Sequence, residues 1–180
     1  QLSKREFKQF RKDIQLIFQD PYSSLNPKLN VCETIIEPIK YHRILTNRKE
    51  LVKRAIELLI DVGLSEDFLY RYPHELSGGQ RQRLGIARAI SVNPKIIICD
   101  EAVSALDVSV KAQVLNLLNK LKDDYNFTYI FISHDLSIVK HMCDNIIVMN
   151  RGRIEESGDP DKIFVNPEKK YTKKLIDAIL

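Results

Sequence analysis

Apolar side chains recur along this chain of 180 residues in two rhythms, one with the spacing of a helix and one with the unbroken runs of a buried strand. Residues 14–18 are apolar and β-rich and stop at Gln19-Asp20-Pro21, after which residues 22–30 carry the Ser, Asn and Pro chemistry of a loop. Leu51, Ala55, Leu58, Leu59 and Val62 recur at helical spacing, and Gly63 supplies the stop. The pattern between 31 and 72 stays helical and broken, which predicts a small all-helical block. The rhythm then changes. Residues 80–91 read as a helix, and 95–99 as a short strand between Asn93-Pro94 and Asp100-Glu101. A helix is predicted over 109–124 with Val110, Val114, Leu117, Leu118 and Leu121 on one face. Residues 127–132 form another strand, 136–143 a helix, and 145–149 a further strand turning through Asn150-Arg151-Gly152-Arg153 into a hairpin with 154–157. Short, wholly apolar strands separated by helices predict an α/β fold, with a mostly parallel sheet covered on both faces.

Composition narrows the class of protein. Hydrophobic residues make up 44% and charged residues 29% of the chain, which excludes disorder as its dominant state. No run of consecutive apolar residues exceeds four, far short of the roughly 20 needed to span a bilayer as a helix. The net charge of +4 gathers at the two ends, so the middle of the chain lacks the basic working face of a nucleic-acid binder. Cys32, Cys99 and Cys143 lie far apart with no C-x-x-C, as expected of reduced thiols in a cytoplasm rather than a disulfide framework or a zinc site. The chain begins at Gln1, and its methionines are Met142 and Met149. A start inside a longer reading frame is expected from this.

In open α/β sheets, ligands bind beyond the carboxyl ends of the strands. Three predicted strands end there in polar residues: one delivers Gln19, one Asp100 and Glu101, and one Ser133, His134 and Asp135. An apolar strand followed by two carboxylates suits a polyphosphate site, the first acid facing Mg²⁺ and the second polarising a water. The plainer alternative is a strand ending in two solvated acids. Leu76-Ser77-Gly78-Gly79-Gln80 precedes a helix with a basic first turn, so exposed N–H groups could approach an anion closely. Ser77 could equally be an ordinary helix cap. His134 reads either as a phosphate donor or as a solvated loop residue, and Asp107 either as a ligand or as the cap of the next helix.

Taken in order, Gln19 ahead of a helical block, LSGGQ opening a helix, an acid-tipped strand, Ser104-Ala105-Leu106-Asp107 and a strand-end histidine resemble the ATP-binding-cassette (ABC) ATPases. The resemblance covers nearly the whole chain. It implies that Gln19 is the Q-loop glutamine, which helps to hold metal and water, and that Ser77, Gly78, Gly79 and Gln80 are the signature that closes over ATP held by a partner subunit. Asp100 becomes the metal-linked aspartate, Glu101 the catalytic glutamate, Asp107 the D-loop aspartate and His134 the switch histidine. ATP and Mg²⁺ are the implied cofactors. The loop at 19–27, the run through Val108 and Ser109, and Asn166-Pro167 ahead of Tyr171-Thr172 look like the oligopeptide, dipeptide and nickel importer ATPases. Peptide is preferred over nickel on that likeness alone. Ala102 departs from the family's usual proline but leaves both carboxylates in place.

The family resemblance implies an incomplete P-loop NTPase-type cassette with an inserted helical subdomain. Residues 1–30 are expected to hold the end of an N-terminal core strand and the Q-loop, and 31–92 the helical subdomain with the signature. Residues 93–150 are expected to hold the rest of the α/β core, and 151–180 a C-terminal hairpin and helix. A phosphate-gripping G-x-x-x-x-G-K-[ST] loop should precede Gln19. No two of the six glycines are five positions apart, so the motif is absent from this sequence. The chain alone is therefore expected to be inactive, less stable than its parent and prone to self-association through uncovered sheet. The parent is expected to be the ATPase subunit of an importer at the cytoplasmic face of the membrane. Its expected partners are a second cassette, permease subunits and, indirectly, a solute-binding protein, with no nucleic acid. The rival readings are a soluble ABC ATPase acting on nucleic acid or the ribosome, and a non-catalytic interaction fragment.

Overall fold

The structure, a computed structural model, describes residues 3–178. It divides into two compact units, one ending at Ile132 and the other beginning at Ser133.

The first unit opens with α1 (Lys4–Asp13), which the apolar pattern does not reveal because it buries none of its residues. Its start is set by Ser3 and Glu6, each side chain satisfying the other's backbone N–H. The chain runs straight on into β1 (Ile14–Ile17) and then, after the loop, into α2 (Val31–Tyr41), capped by Asn30. Next come α3 (Arg48–Asp61) and α4 (Gly78–Ile90). These three helices pack on one another, and Ile35, Ile36, Ile39, Leu51, Leu58, Leu59, Leu84, Ile86 and Ile90 are among the most deeply buried side chains. Each such burial contributes about 1.5–3 kcal/mol against exposure, which is why a broken helical pattern still makes one solid block. Gly63 ends α3 in the left-handed region at φ 71°, beside the guanidinium of Arg83, which donates to the Val62 carbonyl over 2.7 Å.

Beyond α4 lie β2 (Ile96–Asp100), α5 (Val108–Tyr125) and β3 (Thr128–Ile132). The three strands pair in parallel in the order β1-β2-β3, with Ile17 beside Cys99 and Cys99 beside Phe131. One face of this sheet, with Ile17, Ile97 and Cys99, is buried. There α4 packs on β1, and the Tyr129 hydroxyl on β3 donates to the Leu118 carbonyl of α5 over 3.0 Å. The other face is different. Ile130 and Ile132 are each 48% exposed, so the expectation of a sheet covered on both faces is corrected to cover on one face along β3. The expected uncovered apolar sheet surface is found at these two residues.

The second unit contains α6 (Leu136–Met142), the antiparallel pair β4 (Ile146–Asn150) and β5 (Arg153–Gly158), and two short helices, α7 (Pro160–Val165) and α8 (Lys170–Asp177). The hairpin is as predicted, but it forms its own two-stranded sheet, and two helices follow it where one was expected. Its small core gathers Val139, Ile146, Val148, Ile163 and Ile176.

Candidate functional site

The parallel register brings the carboxyl ends of β1 and β2 side by side, and three of the sequence-predicted residues stand there. Gln19, two residues past β1, donates from Nε2 to Glu101 Oε2 over 2.8 Å. Asp100 is the last residue of β2 and is exposed. Glu101 follows it with φ 46°, in the left-handed region that non-glycine residues seldom occupy. Its backbone is held from both sides: the N–H donates to the Ile132 carbonyl over 3.0 Å, and its carbonyl accepts from the Ser104 N–H and hydroxyl, each at 3.0 Å. That conformation turns the chain sharply just past the strand while the side chain meets Gln19.

A second grouping forms where α4 and α5 begin. Ser77 caps α4: its hydroxyl accepts from the Gln80 N–H over 3.3 Å, and its own N–H donates to Gln80 Oε1 over 2.8 Å. Ser77 and Gly78 are exposed, and a side chain at Gly78 would meet nothing within 4 Å. A Cβ at Gly79 would stand 2.6 Å from Cγ1 of Val110 on α5. Asp107 caps α5, accepting from the Val110 N–H and the Ser109 hydroxyl, each over 2.9 Å. The bond from Val110, with help from Ser109, holds this carboxyl below the usual carboxylate range. Ser77 and Asp107 thus serve as caps, the plainer of the two readings open for each in the sequence.

His134 is the second residue of the second unit, two residues past β3, and is exposed; Asp135 beside it caps α6 through the N–H groups of Ser137 and Ile138. The expected brackets of strand-end chemistry therefore resolve into a Gln19–Asp100–Glu101 group, a Ser77–Gln80 turn packed on α5, and a histidine carried by the other unit.

Two arginines fasten this region, of which the sequence singled out Arg81 only as part of the basic first turn of its helix and Arg88 not at all. Arg88, partly buried on α4, donates from Nη1 to the Ser24 carbonyl over 2.6 Å, and burial pushes its guanidinium down from the ordinary value. Arg81, seven positions earlier on the same helix, lies over the Tyr22 ring at 5.0 Å and donates to the Pro73 carbonyl over 2.7 Å. Together they fasten the loop that follows Gln19 to the helix that begins with the signature. The sequence signal for Arg88 was its place seven positions after Arg81, which puts the two on one helix face.

Among the described residues, no three or more His, Cys, Asp or Glu gather as a metal cluster, and no helix is long and apolar enough to cross a membrane. Asp100 and the Gln19 amide offer oxygen donors at neighbouring strand ends. Such a sparse, all-oxygen set fits Mg²⁺, which keeps most of its waters and takes few protein ligands.

The chain is similar to known proteins over nearly its whole length. It is 49% identical over 177 residues to the oligopeptide transport ATP-binding protein OppF of Bacillus subtilis, covering 98% of this chain and 58% of that protein. It is 49% identical over 178 residues to the glutathione import ATP-binding protein GsiA of Escherichia coli O157:H7, covering 99% of this chain and 28% of that one. The chain thus spans little more than half the length of OppF and less of GsiA. Among solved structures, it superposes on the dimeric ATP-binding cassette MJ0796, in a post-hydrolysis state bound to ADP and Pi, with TM-score 0.76 and 33% identity over 88% of this chain and 68% of that one. It also superposes on cbiO1 from Clostridium perfringens, part of the transporter complex cbiONQ, with TM-score 0.79 and 29% identity over 92% of this chain and 64% of that one. The family profile described as ABC transporter matches residues 1–104, and the chain belongs to that family.

Proposed function

We propose that this chain is part of the ATP-binding subunit of an ABC importer that couples ATP hydrolysis to the uptake of oligopeptides or dipeptides. The observation that carries the reading is the hydrogen bond from Gln19 to Glu101 beside Asp100, at the carboxyl ends of adjacent parallel strands. The relatives named for oligopeptide transport and glutathione import support peptide as the solute class.

In this reading Glu101 is the general base. Its carboxylate takes a proton from the water whose oxygen attacks the γ-phosphorus, while the bond to the β–γ bridging oxygen breaks and ADP leaves. Gln19 holds that carboxylate by its Nε2 and offers its Oε1, with Asp100, to the metal. Mg²⁺, when bound, neutralises charge on the phosphate oxygens. His134 is assigned the hydrogen bond to the γ-phosphate by its likeness to the family's strand-end histidine. Ser77, Gly78, Gly79, Gln80 and Asp107 face nucleotide held by a second cassette, so hydrolysis belongs to the pair. The loop at 20–25, fastened by Arg81 and Arg88, passes closure to permease subunits at the cytoplasmic face of the membrane, and those subunits receive solute from a binding protein. ATP drives the change because it binds the closed pair better than the open one.

Equilibrium binding of Mg-ATP tests this reading, comparing the 180-residue chain with a longer form that carries a G-x-x-x-x-G-K-[ST] loop ahead of Gln19. Tight binding only in the longer form, with turnover there nearly abolished by Glu101→Gln while ATP still binds, is the expected result. Equal binding in both forms, or unchanged turnover in Glu101→Gln, would overturn it.

A further inference from the structure

The two neighbouring glycines at the start of α4 stand in opposite surroundings. Nothing lies within 4 Å of a side chain added at Gly78, whereas one added at Gly79 would stand 2.6 Å from Val110 Cγ1, closer than real Cβ atoms come. Gly79 has no positive φ, so its backbone would accept alanine and the obstacle is steric alone. Val110 cannot yield easily. It is β-branched, on the first turn of an 18-residue helix, and its own N–H is bound to the Asp107 carboxyl that caps that helix. A second link runs alongside, from Arg83 Nη2 of α4 to Gln113 Oε1 of α5 over 3.3 Å, but both ends of it are long and flexible.

We infer that Val110 is a positioning residue: wedged against the bare backbone of Gly79, it locks the Ser77–Gly78–Gly79–Gln80 turn to the Asp107 cap, so that the two move as one body. Gly79 is a glycine to admit α5, and Gly78 alone leaves open space on the outer side of the turn. Displacing the Asp107 carboxylate from the Val110 N–H, as a competing partner group would do, frees the first turn of α5 and with it the seat of the signature turn. What the turn binds rests on the function proposed above; the mechanical coupling does not, and its test contains no nucleotide.

The test is amide hydrogen exchange of the 180-residue chain, read at Gln80 and Arg81, whose N–H groups bond to the Ser77 hydroxyl and carbonyl. In Gly79→Ala, exchange at these two amides should rise by about fivefold or more, the low end of what overpacking a tight contact does. The double variant Gly79→Ala/Val110→Ala, which removes the colliding methyl, should return it toward the parent rate. Gly78→Ala should leave it unchanged, and the amides of Leu58 and Leu59 in α3 should not respond to any of the three. Asp107→Ala should raise exchange at Gln80 and Arg81 when valine is at 110 and should not do so in Val110→Ala. A purely structural contact would not show that dependence. If Gly79→Ala fails to fold, recovery of folding in the double variant is the same rescue. Unchanged exchange in Gly79→Ala, a defect that Val110→Ala does not relieve, or an Asp107 effect indifferent to residue 110 would each overturn the inference. A failure of nucleotide binding in a longer form would instead count against the proposed function and leave this result standing.

Discussion

Gln19 and Glu101 are 82 positions apart in sequence, and a hydrogen bond of 2.8 Å joins their side chains across the ends of β1 and β2. It orients the Glu101 carboxylate across the two strand ends. Replacing Gln19 by Ala leaves Glu101 chemically intact but releases its aim. In a form competent to bind nucleotide, Gln19→Ala should lower kcat by about tenfold or more, since small misplacements of a reacting group are costly. ATP affinity should change less. A phosphate-release assay beside equilibrium binding separates the two, and a loss confined to affinity would show that Gln19 does not act through Glu101.

Arg88 makes a different kind of connection, from a helix to a loop carbonyl 64 positions away. Because the guanidinium is partly buried, cutting it to Ala removes a charged hydrogen bond and leaves the Ser24 carbonyl without that donor. Arg88→Ala should destabilise the first unit by about 1–3 kcal/mol in urea unfolding, the usual cost of orphaning such a group. Lysine should recover little of this, having no planar fork to reach the carbonyl in the same place.

The C-terminal ends of α3 and α5 are tied by Tyr125, whose hydroxyl donates to Asp61 Oδ2 while Arg54 approaches from the other side at 3.5 Å. Burial, and then the bond to Asp61, push the phenol up from its ordinary value, so it stays protonated as donor throughout the neutral range. Tyr125→Phe should cost about 1 kcal/mol in the same urea assay, the net worth of one hydrogen bond between such groups. A neutral result would mean that water replaces the tyrosine at no cost.

Asp107 carries a pH dependence with a definite sign. Its carboxyl sits lower in the folded chain than in the unfolded one, because the ionised form accepts from Val110 and then Ser109. The cap's contribution is therefore fully present above the unfolded value and is lost as pH falls through the lower, folded one. Carbon NMR of the side-chain carboxyl should place its midpoint below that of an ordinary aspartate, and Ser109→Ala should move it part of the way back. Asparagine at 107 keeps a capping oxygen and should remove the acid transition from α5 while leaving the helix start in place. A midpoint at or above the ordinary value would exclude the capped geometry in solution.

The elements with long apolar faces were legible from the chain alone. Strands β1, β2 and β3 and helices α4 and α5 begin and end within about two residues of where their periodicity places them, the usual margin for element ends, while α3 starts three residues ahead of its first periodic position, Leu51. Helix α1 was not, because it has no buried face to betray it; its one signal was Ser3 three residues ahead of Glu6, a capping box without the apolar run that gives such a box its meaning. The half-exposed Ile130 and Ile132 misled in the opposite direction, since an apolar run reads as covered on both sides whether or not a layer lies over it. Every residue of the strand-end group could be nominated from its type and place. The contact between Gln19 and Glu101 could not, because it depends on the register that sets Ile17 beside Cys99. Val110 stood in the sequence as one more apolar position on a helix face, and what distinguishes it is that its Cγ1 lies only 2.6 Å from where a Cβ on Gly79 would stand.

The φ of 46° at Glu101 also says how this protein would respond to selection. A left-handed residue with a long side chain sits in a conformation that glycine or asparagine adopts at less cost. Substitutions that relax such a position commonly raise stability, and they do so most where the local conformation was kept for another purpose. A library enriched only for heat resistance should therefore collect Glu101→Gly or Glu101→Asn early, producing sturdier chains that have discarded the carboxylate. On the function proposed above, longer forms descended from such a library need to be screened for turnover at every round, since position 101 is then where survival on heating and chemistry pull in opposite directions.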